Sequence, residues 1–169
     1  MGYVNDTSMS QFINALEFAN TAGTWTPTLA SNVVNMVRTA ADASFTTMIP
    51  IPLPSNSASY KGCLLKSIDV WYTLGTADAD DFATVELEKI ALAANTTAPT
   101  GAAVTTTCDA AHDTAAERKA QAAHKMTVTL TAAEWMSASY SYTLVMTVDA
   151  AATTAFKYLG AQANYTLRV

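Results

Sequence analysis

The sequence predicts an all-β chain, a jelly-roll-like β-sandwich of about eight antiparallel strands with an N-terminal arm or short helix. Three observations lead there. Alanine and threonine supply 33 and 26 of the 169 residues. Threonine's branched side chain suits a pleated strand, and alanine fits where a larger side chain would not. From Trp25 onward the apolar residues recur with a period of two, as in half-buried strands. The strand candidates are separated by turn-forming clusters, the spacing of a sandwich or barrel. No internal repeat is apparent, which argues against a propeller or solenoid.

The elements follow in order. Residues 1–23 read as an arm and residues 24–169 as the sandwich domain. In the arm, Met9, Phe12, Ile13 and Leu16 have helical spacing, with Ser8 or Ser10 as cap. An edge element of the core is the alternative for that stretch. Val33–Thr39 and Ser44–Ile49 are strands flanking a turn at Asp42-Ala43. Pro50, Pro52 and Pro54 each lack an amide donor, so their segment runs extended along an edge or across a sandwich end. Cys63–Leu74 alternates most clearly, with Leu64, Lys66, Ile68, Val70, Tyr72 and Leu74 on one face. Gly75–Asp81 reads as the long turn of a hairpin, and Phe82–Leu92 as its return strand. There Ala83, Val85 and Leu87 are expected inside, and Thr84, Glu86 and Glu88 outside. Residues 93–107 form a loop ending in a short strand at Val104–Cys108. Thr114 and Glu117 have the spacing of a helix-capping box. Met126–Leu130, Ser139–Val148 and Phe156–Val169 complete the strands. The first face of the last carries Leu159, Ala161, Ala163, Tyr165, Leu167 and Val169.

Charge narrows the function classes. The net charge is −5 and the nine Lys and Arg residues are scattered. Phosphate backbones and anionic membranes call for clustered positive charge, so neither nucleic acid nor membrane is an expected partner. No apolar run approaches the ~20 residues of a membrane-spanning helix. Met1–Asp6 shows no basic region followed by an apolar core, so no secretory signal is expected.

Candidate sites are few. Cys63 and Cys108 lack the closely spaced Cys or His partners of a zinc site. They are either a disulfide pair or two buried thiols. Asp78, Asp80 and Asp81 are hard oxygen donors suited to calcium, but the loop lacks the Gly and distal Glu of an EF-hand. An Asp-rich turn is the plainer reading. Asp109, His112, Asp113, Glu117 and His124 gather within one polar stretch. Metal or acid–base chemistry needs such groups, yet no HExxH spacing occurs, and a solvated loop explains them. Neither a Gly-x-Ser-x-Gly elbow nor a glycine-rich phosphate loop is present. No catalytic, cofactor-binding or metal residue is therefore assigned. No cofactor is expected, and the chain reads as a non-enzyme. Trp25, Trp71 and Trp135, with seven Tyr, offer faces for sugar stacking, although core or interface packing is the commoner use.

Two strands carry a resemblance: Leu64-Leu65-Lys66-Ser67-Ile68-Asp69-Val70-Trp71-Tyr72, and Phe156-Lys157-Tyr158-Leu159-Gly160-Ala161-Gln162-Ala163-Asn164-Tyr165. Over residues 24–169 the chain resembles the β-sandwich structural proteins of tailed bacteriophages, namely capsid decoration proteins and fibre or spike modules. The resemblance implies a jelly-roll-like subunit, homotrimeric, located in the virion and bound to itself and to other capsid proteins. It transfers no site residue. The function it implies is a non-catalytic virion structural protein that self-associates and attaches to or decorates a phage capsid. The alternative is a carbohydrate-binding module of a fibre or cell-surface assembly.

Overall fold

The structure is a computed structural model, and it describes residues 6–55, 62–91 and 99–168. Period-two alternation gives a strand one apolar side, and that side must find another to bury it. In this chain, two antiparallel sheets bury their apolar sides against each other. In chain order the strands are β1 (Asp6–Asn14), β2 (Ala19–Asn20), β3 (Trp25–Ala30), β4 (Val33–Arg38), β5 (Ala43–Pro50), β6 (Gly62–Gly75), β7 (Asp81–Ala91), β8 (Gly101–Val104), β9 (Thr106–Cys108), β10 (Ala123–Trp135), β11 (Tyr140–Ala150) and β12 (Ala155–Arg168). The larger sheet runs β3-β4-β12-β6-β10-β9, with β1 also paired to β12. The smaller runs β2-β5-β11-β7-β8. The fold is the expected all-β sandwich. The strands outnumber the expected eight because short pieces such as β2, β8 and β9 finish the sheet edges.

The N-terminal stretch is a strand of the larger sheet, the edge-element alternative, and not the helix its spacing suggests. β1 pairs with β12 from Asp6↔Arg168 to Asn14↔Gly160. A short isolated helix is marginal, and a full ladder of backbone bonds outweighs it. Helical geometry survives only as a 3-10 turn at Ala15–Glu17, where Asn14 and Glu17 form the capping box in place of Ser8 or Ser10.

The expected hairpin is also corrected. β6 and β7 lie in different sheets, so Gly75–Asp81 crosses the sandwich. Backbone bonds fix that crossing: Ala79 N–H donates to Lys119 O and Asp80 N–H to Asp149 O. The strand expected at Val104–Cys108 likewise divides. β8 pairs with β7 in one sheet and β9 with β10 in the other, so the chain changes sheets at Thr105. The preceding loop expectation falls partly on residues 93–98, outside the described residues. Ile51, between two of the prolines, is buried, and its amide donates to Tyr142 O.

Bulges explain the faces that simple alternation misplaces. One extra residue reverses the parity of everything beyond it. In β6, Ser67↔Asn164 is followed by Leu65↔Tyr165, leaving Lys66 unmatched. Cys63 and Leu65 are therefore buried before the shift, and Ile68, Val70, Tyr72 and Leu74 after it. In β7 the register passes from Asp81↔Asp149 to Thr84↔Thr147. Phe82 and Leu87 consequently point inward, and Ala83, expected inside, is exposed. In β12 the shift lies between Tyr158 and Gly160, so Phe156 and Tyr158 share the core with Ala161, Ala163 and Tyr165. Val169, placed on that face by alternation, is outside the described residues.

The core is aromatic at one end. The Phe156 ring stacks on Tyr72 at 5.5 Å and meets Phe45 edge-on at 5.4 Å. Trp25 stacks on Tyr158 at 5.6 Å. Gly160 sits beside the bulge with φ +146°, and a Cβ there would strike the Phe12 ring and lie 3.0 Å from Ile13 O. Gly160→Ala therefore combines backbone strain with a steric clash and should destabilise the protein by about 1–3 kcal/mol in denaturant melts. Introducing it into a Phe12→Ala background should restore only part of that loss, because the Ile13 carbonyl cannot step aside.

Candidate functional site

The densest chemistry lies in the long connection from β9 to β10, neighbours in the larger sheet, which contains the single turn α1 (Ala115–Arg118). Thr114 caps it as the sequence predicts, its hydroxyl accepting from Glu117 N–H while the Glu117 carboxylate accepts from Thr114 N–H. Of the five polar residues expected there, Asp109, His112 and His124 are brought together, while Asp113 and Glu117 remain at the turn.

These three form a chain of contacts. Asp109 Oδ1 lies 2.8 Å from His112 Nδ1, and His112 Nε2 lies 3.1 Å from His124 Nδ1. His124 Nε2 lies 2.8 Å from Ala120 O. His112 is buried and His124 half-buried. The His124 ring stacks flat on Tyr72, 4.6 Å away and 12° from parallel. Burial opposes charge on Asp109, but bonds from Thr127 N–H, His112 and Ala111 N–H outweigh it. The carboxyl is thereby held below its ordinary range.

Arg118 organises the same region. Its buried guanidinium donates from Nε to Phe82 O at 3.1 Å and from Nη2 to Phe82 O at 3.0 Å. Nη1 donates to His112 O at 2.9 Å and Asp113 O at 3.1 Å. The Arg118 carbonyl accepts from the Tyr72 hydroxyl at 2.9 Å. Strand β7 of one sheet is thus tied through one side chain to the β9–β10 connection of the other. Arg38 works similarly beside β5, donating to Ala41 O and Ala43 O with its guanidinium over the Phe45 ring. Sequence reasoning counted both arginines only as scattered charge. For Arg38 the available signal was a lone Arg in an otherwise uncharged stretch, where buried carbonyls need donors; Arg118, between Glu117 and Lys119, carried no such signal.

The remaining candidates stand apart. Cys63 and Cys108 are free thiols. Burial pushes Cys63 up to about 12 and raises Cys108 as well, opposite to what an activated nucleophile requires. Asp78 Oδ1 accepts from Gln121 N–H, and Asp81 Oδ1 from Phe82 N–H, so both carboxylates serve turn geometry. Among the described residues no three His, Cys, Asp or Glu side chains gather as a metal-holding group. No two of the tryptophan rings pair with each other. Trp25 packs on the core, Trp71 lies under Lys125 and Trp135 under Arg168. No protein-family model matches the chain, and no curated protein is recognisably similar to it.

Two surface features complete the geometry. On the outer face of the larger sheet, polar side chains bond one another. Thr127 donates to Asp69 Oδ1 at 2.7 Å, Lys125 lies 3.0 Å from Asp69 Oδ2, and Gln162 donates to Asn164 at 3.0 Å. At one edge, β4 pairs with β12 only at Met36–Arg38, so the β3–β4 ribbon runs past the sheet. Trp25 and Met36 pack on the core. Alternation puts Leu29 and its partner Val34 on the same side, beyond the core, where both are exposed, Leu29 by 72%.

Three outcomes follow from this site. Arg118→Lys should destabilise the protein nearly as much as Arg118→Ala, by more than about 2 kcal/mol, because an ammonium cannot reach the same carbonyls; thermal melts of both variants check this. Asp109 has a depressed folded value, so its stabilisation is complete above its unfolded pKa near 4 and is lost as pH falls through the folded one. Asp109→Asn should therefore flatten the acid limb of a stability–pH curve. In the folded protein Cys63 should resist thiol alkylation at mildly alkaline pH and react only on unfolding, read by intact mass.

Proposed function

We propose that the chain is a non-catalytic structural subunit of a virion, jelly-roll-like in build, which self-associates and attaches to or decorates a phage capsid. One observation carries the reading. The inner face of the β3–β4 ribbon continues beyond its own core and leaves Leu29 and Val34 uncovered, with Val33 also exposed at the tip. An apolar stripe that outruns the core it belongs to is suited to burial against another subunit. The ribbon joins the sheet by only three residue pairs, so it projects far enough to reach a neighbour.

Other features agree with a binding role. The low charge, 14% of residues, reduces the desolvation penalty of a broad contact. Strand β1 has β12 on one side and, among the described residues, no paired strand on the other, an arrangement that subunit pairing protects. Both histidines and both thiols are engaged or suppressed by the fold, as described above. The homotrimer and the capsid partner belong to this proposal as the resemblance in sequence implies them.

Light scattering coupled to size exclusion tests the self-association. At micromolar concentrations the native chain should elute at a multiple of its 17.8 kDa mass. Leu29→Lys combined with Val34→Lys should give a monomer with an unchanged thermal melt. A native chain that is already monomeric and binds no capsid particle would refute the reading.

A further inference from the structure

The contacts of His112 and His124 fix a proton count. Asp109 at one end and Ala120 O at the other can only accept while the carboxyl is ionised, so His112 Nδ1 and His124 Nε2 must each carry hydrogen. The central contact at 3.1 Å needs one hydrogen between His112 Nε2 and His124 Nδ1. Three hydrogens must therefore sit on four ring nitrogens. Two neutral imidazoles bring two, and two imidazoliums bring four. In the neutral pair one of the three links has no hydrogen to donate. In the doubly charged pair two N–H groups point at each other. The count is the same whichever ring carries the cation.

We propose that His112 and His124 hold one proton between them as part of the folded structure, making the β9–β10 connection at residues 109–124 a pH-sensitive clasp. The clasp is complete in the singly protonated state and loses a link when that proton leaves. The surrounding groups are consistent with one charge rather than two. The Asp109 carboxylate faces His112, and Glu117 and Asp113 stand at the adjoining turn. Against them, the Arg118 guanidinium donates to His112 O and disfavours a second cation. From β6 the Tyr72 ring covers His124, and its phenol is held neutral by burial. From β9, Cys108 is likewise raised by burial and stays a thiol. Lys125, next to His124 in the chain, is engaged with Asp69 on the outer face of the sheet. His124 is half-buried and gives the proton its route to solvent.

The closed clasp binds one proton more than an open clasp with two neutral rings. Rising pH therefore favours opening, by up to about tenfold in the opening constant per pH unit. Imidazole nitrogen shifts, recorded on histidine-labelled protein from pH 5 to 8, read the rings directly. Both rings should respond together in a single one-proton step. Amide exchange at His112 and Thr127, corrected for intrinsic rates, should quicken on the alkaline side of that step. His124→Phe keeps a ring over Tyr72 but removes two links, and should abolish the pH dependence of that protection. The proposal is overturned if the rings titrate independently, if protection is unchanged as the pair becomes neutral, or if His124→Phe retains the same pH dependence.

Discussion

The ring of Phe156 is the contact on which the two sheets depend. It comes from β12, lies parallel to Tyr72 of β6 within 4°, and meets Phe45 of β5 and Phe82 of β7 from the opposite sheet. Four strands that are far apart in the chain are thereby brought to one point. Aromatic rings bury large areas and favour stacked or edge-on geometry, so they fix the approach of the sheets as well as driving it. The stack continues through Tyr72 to His124, and there the apolar spine becomes polar. The β9–β10 connection with α1 closes that end. Arg118 supplies donors to carbonyls that the ladder leaves bare, and the Tyr72 hydroxyl reaches back to the Arg118 carbonyl. Core packing and the polar cluster are consecutive parts of one construction.

Fold class was legible because it depends on alternation, which single residues carry openly. Alternation puts Tyr140, Tyr142, Leu144, Met146 and Val148 on one face of β11; the last four are buried because that strand keeps its parity there, while Tyr140 at its start is exposed. β6, β7 and β12 each contain an extra residue, and no local preference marks Lys66 or Leu159 as the place. Bulges arise from the demands of two neighbours at once, so they are properties of the pairing and not of the strand. The same applies to the crossing at Gly75–Asp81. A turn of that length serves a hairpin or a change of sheet equally well, and Asp149 and Lys119, which settle it, are distant in sequence.

The polar cluster was legible in composition but not in purpose. Asp109, His112 and His124 are close enough in the chain to be noticed, and the capping pair Thr114 and Glu117 has a purely local signature. What local reading lacks is the stacking of His124 on Tyr72, and the His112–His124 contact and Ala120 carbonyl that, with Asp109, engage every ring nitrogen. Arg118 was less visible still. Its role is defined by acceptors at Phe82 and Ala83, about a fifth of the chain away in sequence. A buried cation serving carbonyls has no partner of opposite charge to betray it.

The outer face of the larger sheet shows how a threonine-rich strand can be polar without binding water strongly. Asp69 lies in the middle of an exposed sheet face and is itself only 7% exposed, because Thr127, Asn164 and Lys125 surround its carboxylate. Hydrogen-bonding capacity spent within the face is not available to solvent, so less is lost when solvent is displaced. The exposed apolar side of the β3–β4 ribbon is the complementary element, a stripe that gains by leaving water. Both follow from one compositional fact. With few charges and many small side chains, the chain bonds much of this face's polar capacity within the face and leaves apolar side chains exposed at an edge.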